Sequence, residues 1–537
     1  MTDRGTYETL RETFRWEIPE RYNIAVDTVD RHAAARPADL ALIFEDDAGA
    51  TSRYSFEDVR RASNRLANVL VGSGHERGDR VAILLPQAPE TAIAHIAAYR
   101  AGFIAVPLFV LFGPDAIEYR LADSGATAVI TDLAEWPKVA EVRDRLPNLR
   151  TIIVVGGGGV DGTLDFDAVT SGAADAFATV DTLAEDPAII IYTSGTTGPP
   201  KGALHAHRFL LGHLPGVFLP QEFPPQPDDL FWTPADWAWI GGLYDVLFPA
   251  WHWGIPVLAH RARRFDPQGA LDLMTRHCVT NVFLPPTALK LIRNSGARPA
   301  SDMSLRAIAS GGETLGAELL DWGRRTLGVT INEFYGQTEC NLVISNAASV
   351  MAIRPGSMGR PVPGHDVAVI DEAGEVVPAG EVGEIAVSRP DPVMFLGYWG
   401  RPEATEAKFT GDWMRTGDRA SIDPDGYIWY QARNDDVITS AGYRIGPGEI
   451  EDCLLRHPAV GMVAAVGIPD PDRTEVVKAF VVLGAGVTAS DALTAELQAY
   501  VRERLAAHEY PRSIEYVSEL PLTATGKVMR RVLRDRG

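Results

Sequence analysis

Cysteine is nearly absent: Cys278, Cys340 and Cys453 are the only three in 537 residues, far apart and without a C-x-x-C pair. That pattern excludes a zinc knuckle and a disulfide framework and suits a reducing compartment, so a cytoplasmic location is expected. Basic charge is also short. Fifty Lys and Arg stand against 71 Asp and Glu, a net charge of −21, and such a surface repels nucleic-acid backbones and anionic lipid. No nucleic-acid partner is expected. Long apolar runs are missing too: the most apolar stretch, residues 92–112, is broken by His95, Arg100 and Pro107, and reads as a helix followed by a strand, with no membrane span. The opening MTDRGTYETLRETFRWE carries charge throughout and holds no apolar core of a secretory signal. Lysine is the scarcest charge. Lys138, Lys201, Lys290, Lys408, Lys478 and Lys527 are all of it, and Lys201 and Lys527 lie beside glycines in otherwise uncharged loops.

What is present is a chain 46% hydrophobic and long enough, at about 100 to 200 residues per domain, for several domains or one large domain with an appendage. Disorder is excluded as its main state. Helical and strand periods alternate from residue 54: FEDVRRASNRLANVL places Val59, Ala62, Leu66 and Leu70 on one face behind a Ser55/Asp58 helix start, and RVAILL (80–85), TAVIT (127–131) and TIIVV (151–155) read as buried strands. This predicts an α/β fold with layered, mainly parallel sheets. After residue 362 the turn signals DEAGE, PAGEVGE and DPDGY mark a β-rich subdomain, and beyond 436 the pattern is that of a small α+β module with a helix over about 491–507. The expected division is a large domain over 1–432, a hinge at 433–436 and a mobile C-terminal domain over 437–537. Residues 157–162 fit G-x-G-x-x-G, but the TLDFDAVTSG that follows does not open a dinucleotide-binding helix, and a plain loop is the stronger reading.

The sharpest local feature is YTSGTTGPPKG (192–202), which follows the apolar strand Ala188, Ile189, Ile190, Ile191. Small residues let backbone N–H groups approach a phosphate chain, hydroxyls add donors, and Lys201 adds positive charge. Its spacing is not that of a Walker A loop. HAH (205–207) invites a metal reading, but with no third ligand nearby a surface pair is the better one. Trp237 and Trp239 fit either an ordinary core or a shaped apolar pocket beside Gly241 and Gly242. Taken singly, Glu339 reads as a surface or capping residue and Asp418 as a turn residue.

The 192–202 loop resembles the phosphate-loop signature of the adenylate-forming superfamily, which includes acyl-CoA synthetases, luciferases and peptide-synthetase adenylation domains. Further segments resemble that family in order along nearly the whole chain: TPADWAWIGGL (233–243), SGGET (310–314), NEFYGQTE (332–339), TGDRA, RNDDVITSAGYRIGPGEIE and PLTATGKVMRR (521–531). The resemblance implies that Thr193, Ser194, Gly195, Thr196, Thr197, Gly198 and Lys201 hold phosphates of ATP. It implies that Tyr335 stacks on adenine beside Gly312 and Glu313, that Asp418 and Arg433 hold the ribose hydroxyls, that Thr338 contacts the α-phosphate, and that Glu339 ligates Mg²⁺. Lys527 would bridge the substrate carboxylate and the α-phosphate.

The implied enzyme is an AMP-forming acid–thiol ligase working in two halves, acyl-adenylate formation with loss of pyrophosphate and then transfer of the acyl group to coenzyme A. Between the halves the C-terminal domain would turn about Asp435, bringing in Gly442 beside the pantetheine arm and Arg444 near phosphate. Trp239, Ile240, Gly241, Gly311 and Gly336 would line the acyl pocket, and a glycine at 336, where acetate-specific relatives carry tryptophan, would leave space for a medium-chain fatty acid. Short branched or aryl carboxylates, and a freestanding enzyme that loads a carrier protein, are the alternatives.

Overall fold

The computed structural model describes the chain apart from residues 1–4, 159, 194–198, 262–264, 314, 434, 435, 437, 441, 442, 471–473, 505–509, 524–526 and 537. Helix α1 (Phe56–Gly72) begins at a capping box in which Ser55 Oγ accepts from the Asp58 amide and the Asp58 carboxylate accepts from the Ser55 amide. That reciprocal cap satisfies two otherwise orphaned donors and contributes about 1 kcal/mol. Val59, Leu66 and Leu70 are buried along one face as the spacing predicts.

Strand β1 (Arg80–Leu84), helix α2 (Pro89–Arg100) and strand β2 (Ile104–Pro107) follow, so residues 92–112 are the expected helix and strand. Every residue of α2 but Glu90 is buried, which is why its sequence shows no polar face. Strands β3 (Ala128–Asp132), β4 (Thr151–Val155) and β5 (Pro187–Thr193) extend a parallel core, closed by an antiparallel hairpin from β5 to β6 (Lys201–Ala206) within an eight-stranded sheet. The 156–162 glycine segment leads into a two-residue edge strand and the short helix Phe166–Ser171. Asp165 already caps that helix, with its carboxylate accepting from the Ala168 amide at 2.8 Å, so the G-x-G-x-x-G match marks no phosphate site.

A nine-stranded sheet carries β7 (Ala307–Gly311), β8 (Ile331–Gln337) and β9 (Cys340–Ser345) side by side, β7 and β8 parallel, β8 and β9 antiparallel. The β-rich subdomain contains β10 (Val382–Ser388), β11 (Trp413–Ile422) and β12 (Ile428–Arg433). The C-terminal part packs α3 (Pro447–Leu455) and α4 (Asp491–Arg504) on an antiparallel pair, β13 (Val460–Asp470) and β14 (Thr474–Leu483), with β15 (Ser513–Tyr516) joined parallel to β14. The α/β class, the β-rich insertion and the α+β C-terminal module all match the sequence reading. Among the described residues no helix is long and apolar enough to cross a membrane.

Candidate active site

Two hairpins and one cross-strand pair assemble the polar part of the site. In the β5–β6 hairpin Thr193 lies opposite Lys201. Residues 194–198, with Ser194, Gly195, Thr196, Thr197 and Gly198, lie outside the described residues, as do Asp435, Gly442 and the side chain of Arg444. In the β8–β9 hairpin Gln337 pairs with Cys340, so Thr338 and Glu339 form a two-residue turn. That turn buries Glu339, whose carboxylate accepts a hydrogen bond from the Tyr398 hydroxyl. Burial, and then Glu339 itself, push the Tyr398 phenol upward. Lys201 Nζ stands 5.0 Å from the centre of the Tyr398 ring, which joins the two hairpins through one aromatic side chain. No motif marked Tyr398 in the sequence.

Asp418 and Arg433 are 15 positions apart, yet the β11–β12 register sets them directly opposite one another, with guanidinium and carboxylate 3.7 Å apart. Asp418 Oδ2 accepts from the Tyr335 hydroxyl at 2.6 Å and from Gln337 Nε2 at 2.9 Å. Burial raises both acids: the Tyr335 phenol, with Asp418 adding to the effect, and the Asp418 carboxyl, against the pull of Arg433, Tyr335, Gln337 and Lys527. So Asp418 is neither a surface turn nor an isolated charge. Glu313 is engaged from the side, both carboxylate oxygens 3.3 Å from Thr287 Oγ1 and one 3.6 Å from Lys290 Nζ.

Lys527 enters from the C-terminal module on a tight loop in which the Thr523 amide donates to the Lys527 carbonyl at 2.7 Å and the Lys527 amide to Thr523 Oγ1 at 3.0 Å. Gly312, at φ +99°, faces it: a β-carbon there would stand 3.6 Å from Lys527 Cε and 3.7 Å from Trp239 Cη2. Lys527 is exposed as a residue, yet the protein atoms crowding its ammonium strip enough water to hold it below the usual lysine value, against Glu313 and Asp418. Behind it the Trp239, Phe283 and Phe334 rings succeed one another at 5.7 and 5.4 Å. Gly241 and Gly311 make room for those rings, since a β-carbon would come within 2.7 Å of Phe283 and 2.5 Å of Phe334 respectively. Ile240 is buried beside them.

Gly336 is a correction. Its β-carbon direction holds no free space; a substituent would stand 2.3 Å from the Leu342 nitrogen and 2.7 Å from Asn341 Cα, at the point where the β8–β9 register is irregular. Backbone cannot yield as a flexible side chain can. Gly336→Ala is therefore expected to cost about 1–3 kcal/mol of overpacking, read as a lower urea midpoint with an unchanged slope. His205 and His207 are a second correction, because both are fully buried in the core. Loss of solvent pulls His207 down to about 3 and His205 well below its usual value, and His205 stacks on Phe209 at 3.8 Å. Among the described residues no group of three or more His, Cys, Asp or Glu could hold a metal ion alone. Trp237 is fully buried in the core, while Trp239 is only partly buried, its ring beside Gly241 and Gly312.

The family model "AMP-binding enzyme" matches residues 29–399, and the model "AMP-binding enzyme C-terminal domain" matches residues 449–527. The chain belongs to the AMP-binding enzyme family. Mouse "acyl-coenzyme A synthetase ACSM4, mitochondrial" is 38% identical over 533 residues, covering 97% of this chain and 91% of that protein. An acyl-CoA synthetase from Brucella canis superposes with a TM-score of 0.78 at 35% identity over 99% of each chain. The anthranilate CoA ligase AuaEII, solved with anthranoyl-AMP, superposes at 0.88 with 31% identity over 97% of this chain and 98% of its own.

One buried acid of this AMP-binding enzyme escaped the sequence reading. Glu333 on β8 is 4% exposed, accepts from the Leu315 amide at 3.3 Å and leaves Oε2 without a partner. Burial, with a smaller push from Asp452, moves its carboxyl from 4.5 up to about 8. The folded chain thus keeps a proton that the unfolded chain releases, and stability falls as pH rises between these two values, by at most about 1.4 kcal/mol per unit. Glu333→Gln, which mimics the protonated form, is expected to flatten that fall; thermal melts from pH 5 to 8 measure it.

Proposed function

We propose that this AMP-binding enzyme is an acyl-CoA synthetase that activates a carboxylic acid as its acyl-adenylate and passes the acyl group to coenzyme A. The observation that carries the reading is the approach of Lys527 to Gly312 and Trp239. Lys527, from the C-terminal module, and the Trp239 ring both border Gly312, and the carboxylates of Glu313, Asp418 and Glu339 act on the ammonium. An acid seated against Trp239 presents its carboxylate there. Its oxygen attacks the α-phosphorus of ATP, the bond to the bridging oxygen breaks, and pyrophosphate leaves; Lys527 and Thr338 bind the oxygens on which charge gathers. In the second half the coenzyme A sulfur, after losing its proton, attacks the acyl carbon and AMP departs.

Asp418 and Arg433 suit a vicinal diol, one accepting and one donating, and Tyr335 forms a flat wall for the base. Lys201 answers the phosphate charge. Glu339 fits Mg²⁺, since a buried carboxylate with one oxygen held by Tyr398 completes the set that nucleotide phosphates begin, and the ion would neutralise phosphate charge. A domain over 1–432 and a C-terminal domain over 437–537, turning at 433–436, would let Lys527 withdraw for the second half. Three cysteines free of disulfides agree with a cytoplasmic setting.

For the acid we propose a medium-chain fatty acid, on the apolar wall of Trp239, Ile240 and Phe283, beside which Gly241 and Gly311 admit the Phe283 and Phe334 rings. A second reading, an aryl carboxylate, draws support from the succession of Trp239, Phe283 and Phe334 rings. Pyrophosphate release across C2 to C12 fatty acids and a benzoate series, with and without coenzyme A, tests both. Release without any acid preference, or without thioester on adding coenzyme A, would refute the assignment.

A further inference from the structure

Lys408 is half-buried in the segment that follows the short helix Pro402–Glu406, and among the described residues no carboxylate lies within ion-pair distance of it. Its ammonium donates instead to the Arg415 carbonyl at 2.9 Å and to Gln337 Oε1 at 3.2 Å. A half-buried cation spent on a neutral amide calls for a reason. Gln337 supplies one, because its Nε2 donates to the Thr416 carbonyl at 2.8 Å and to Asp418 Oδ2 at 2.9 Å.

An amide has one acceptor end and one donor end, whereas lysine only donates. Lys408 therefore fixes which end of Gln337 meets Asp418. Turned over, Gln337 would set its oxygen against the Thr416 carbonyl and the Asp418 carboxylate and its NH₂ against the ammonium, three repulsive contacts in place of three attractive ones. With Gln337 locked, Oδ2 of Asp418 is filled by Gln337 and Tyr335, and Oδ1 is the oxygen left to meet a ligand across from Arg433. We propose that Lys408 is a positioning residue for nucleotide binding, acting through the Gln337 amide to hold the Asp418 carboxylate in the orientation that accepts the ribose hydroxyls. The inference rests on the reading of Asp418 as the ribose-binding residue.

The test is calorimetric binding of ATP and of 2′,3′-dideoxy-ATP, each with MgCl₂ and without an acid substrate. The wild type is expected to prefer ATP by about 10- to 100-fold, the range of hydrogen bonds to a charged group. Lys408→Met should shrink that preference to about 3-fold or less by weakening ATP alone, with dideoxy-ATP held as before. Gln337→Met should shrink it equally, and the double variant should add nothing, as expected of two residues acting in series. Gln337→Met also carries the test if Lys408→Met does not fold. A purely structural role weakens both nucleotides together and leaves the preference intact, which overturns the inference for Lys408 alone. A wild type that binds both nucleotides equally overturns the ribose reading of Asp418, and the inference with it.

Discussion

Lys527→Ala is expected to lose about 10²- to 10³-fold in ATP-dependent adenylation, while keeping most of its capacity to convert supplied acyl-AMP and coenzyme A to thioester. The magnitude is that of removing one preorganised charged donor from a site where negative charge develops. The split between the halves follows from position. Lys527 stands beside Gly312 on a loop of the C-terminal module, and it is the carboxylate meeting the α-phosphate, two anions brought together, that needs its charge. Thioester formation from acyl-AMP breaks no such pairing. Pyrophosphate release measures the first half and thioester formation from synthetic acyl-AMP the second; equal loss in both would remove Lys527 from the adenylation step. The same charge sets an alkaline limit. Because crowding lowers the Lys527 ammonium, adenylation should fall at a pH below the usual lysine range, a limb absent from the residual activity of Lys527→Ala.

Asp418→Ala is expected to cost on the order of 10² in kcat/KM for ATP. Three groups converge on this carboxylate, Tyr335, Gln337 and Arg433, so its removal takes away the proposed diol acceptor and leaves the donors around it unmatched. Asp418→Asn keeps the shape but not the charge and should lose less. It also isolates the titration. Burial raises the Asp418 carboxyl, so the wild type should lose ATP affinity on acidification at a higher pH than an ordinary aspartate would, and Asp418→Asn should show no such limb. Initial rates at subsaturating ATP across the acid range provide the comparison; coincident acid limbs in wild type and Asp418→Asn would place the titrating group elsewhere.

Local chemistry carried much of the site into the sequence. A loop that must bring backbone N–H groups to phosphate has to be made of Gly, Ser and Thr, whatever surrounds it, and a lone Lys in an uncharged glycine loop stands out for the same reason. Strand and helix periods are equally local, which is why the capping box at Ser55, the strands at 80–84, 128–132 and 151–155 and the C-terminal elements fall where the pattern puts them. Gly336 shows where this ends. Glycine is equally consistent with an open pocket and with a backbone passing at 2.3 Å from where its β-carbon would lie, and the β8–β9 hairpin supplies the second. The HAH pair failed similarly: polar residues in or beside a strand can face water or core, and His205 on β6 and His207 just past its end both lie inside.

From residue order alone come the α/β class, the resemblance of the loops to AMP-binding enzymes, and a net charge of −21. Long-range juxtapositions do not come from it: Tyr398 on Glu339, Arg433 across from Asp418, Lys408 on Gln337, Lys527 at Gly312. Each joins segments between 15 and more than 200 positions apart. Their meeting depends on strand register and on how the sheets pack, quantities that belong to the whole folded chain and leave no mark on any single stretch of it.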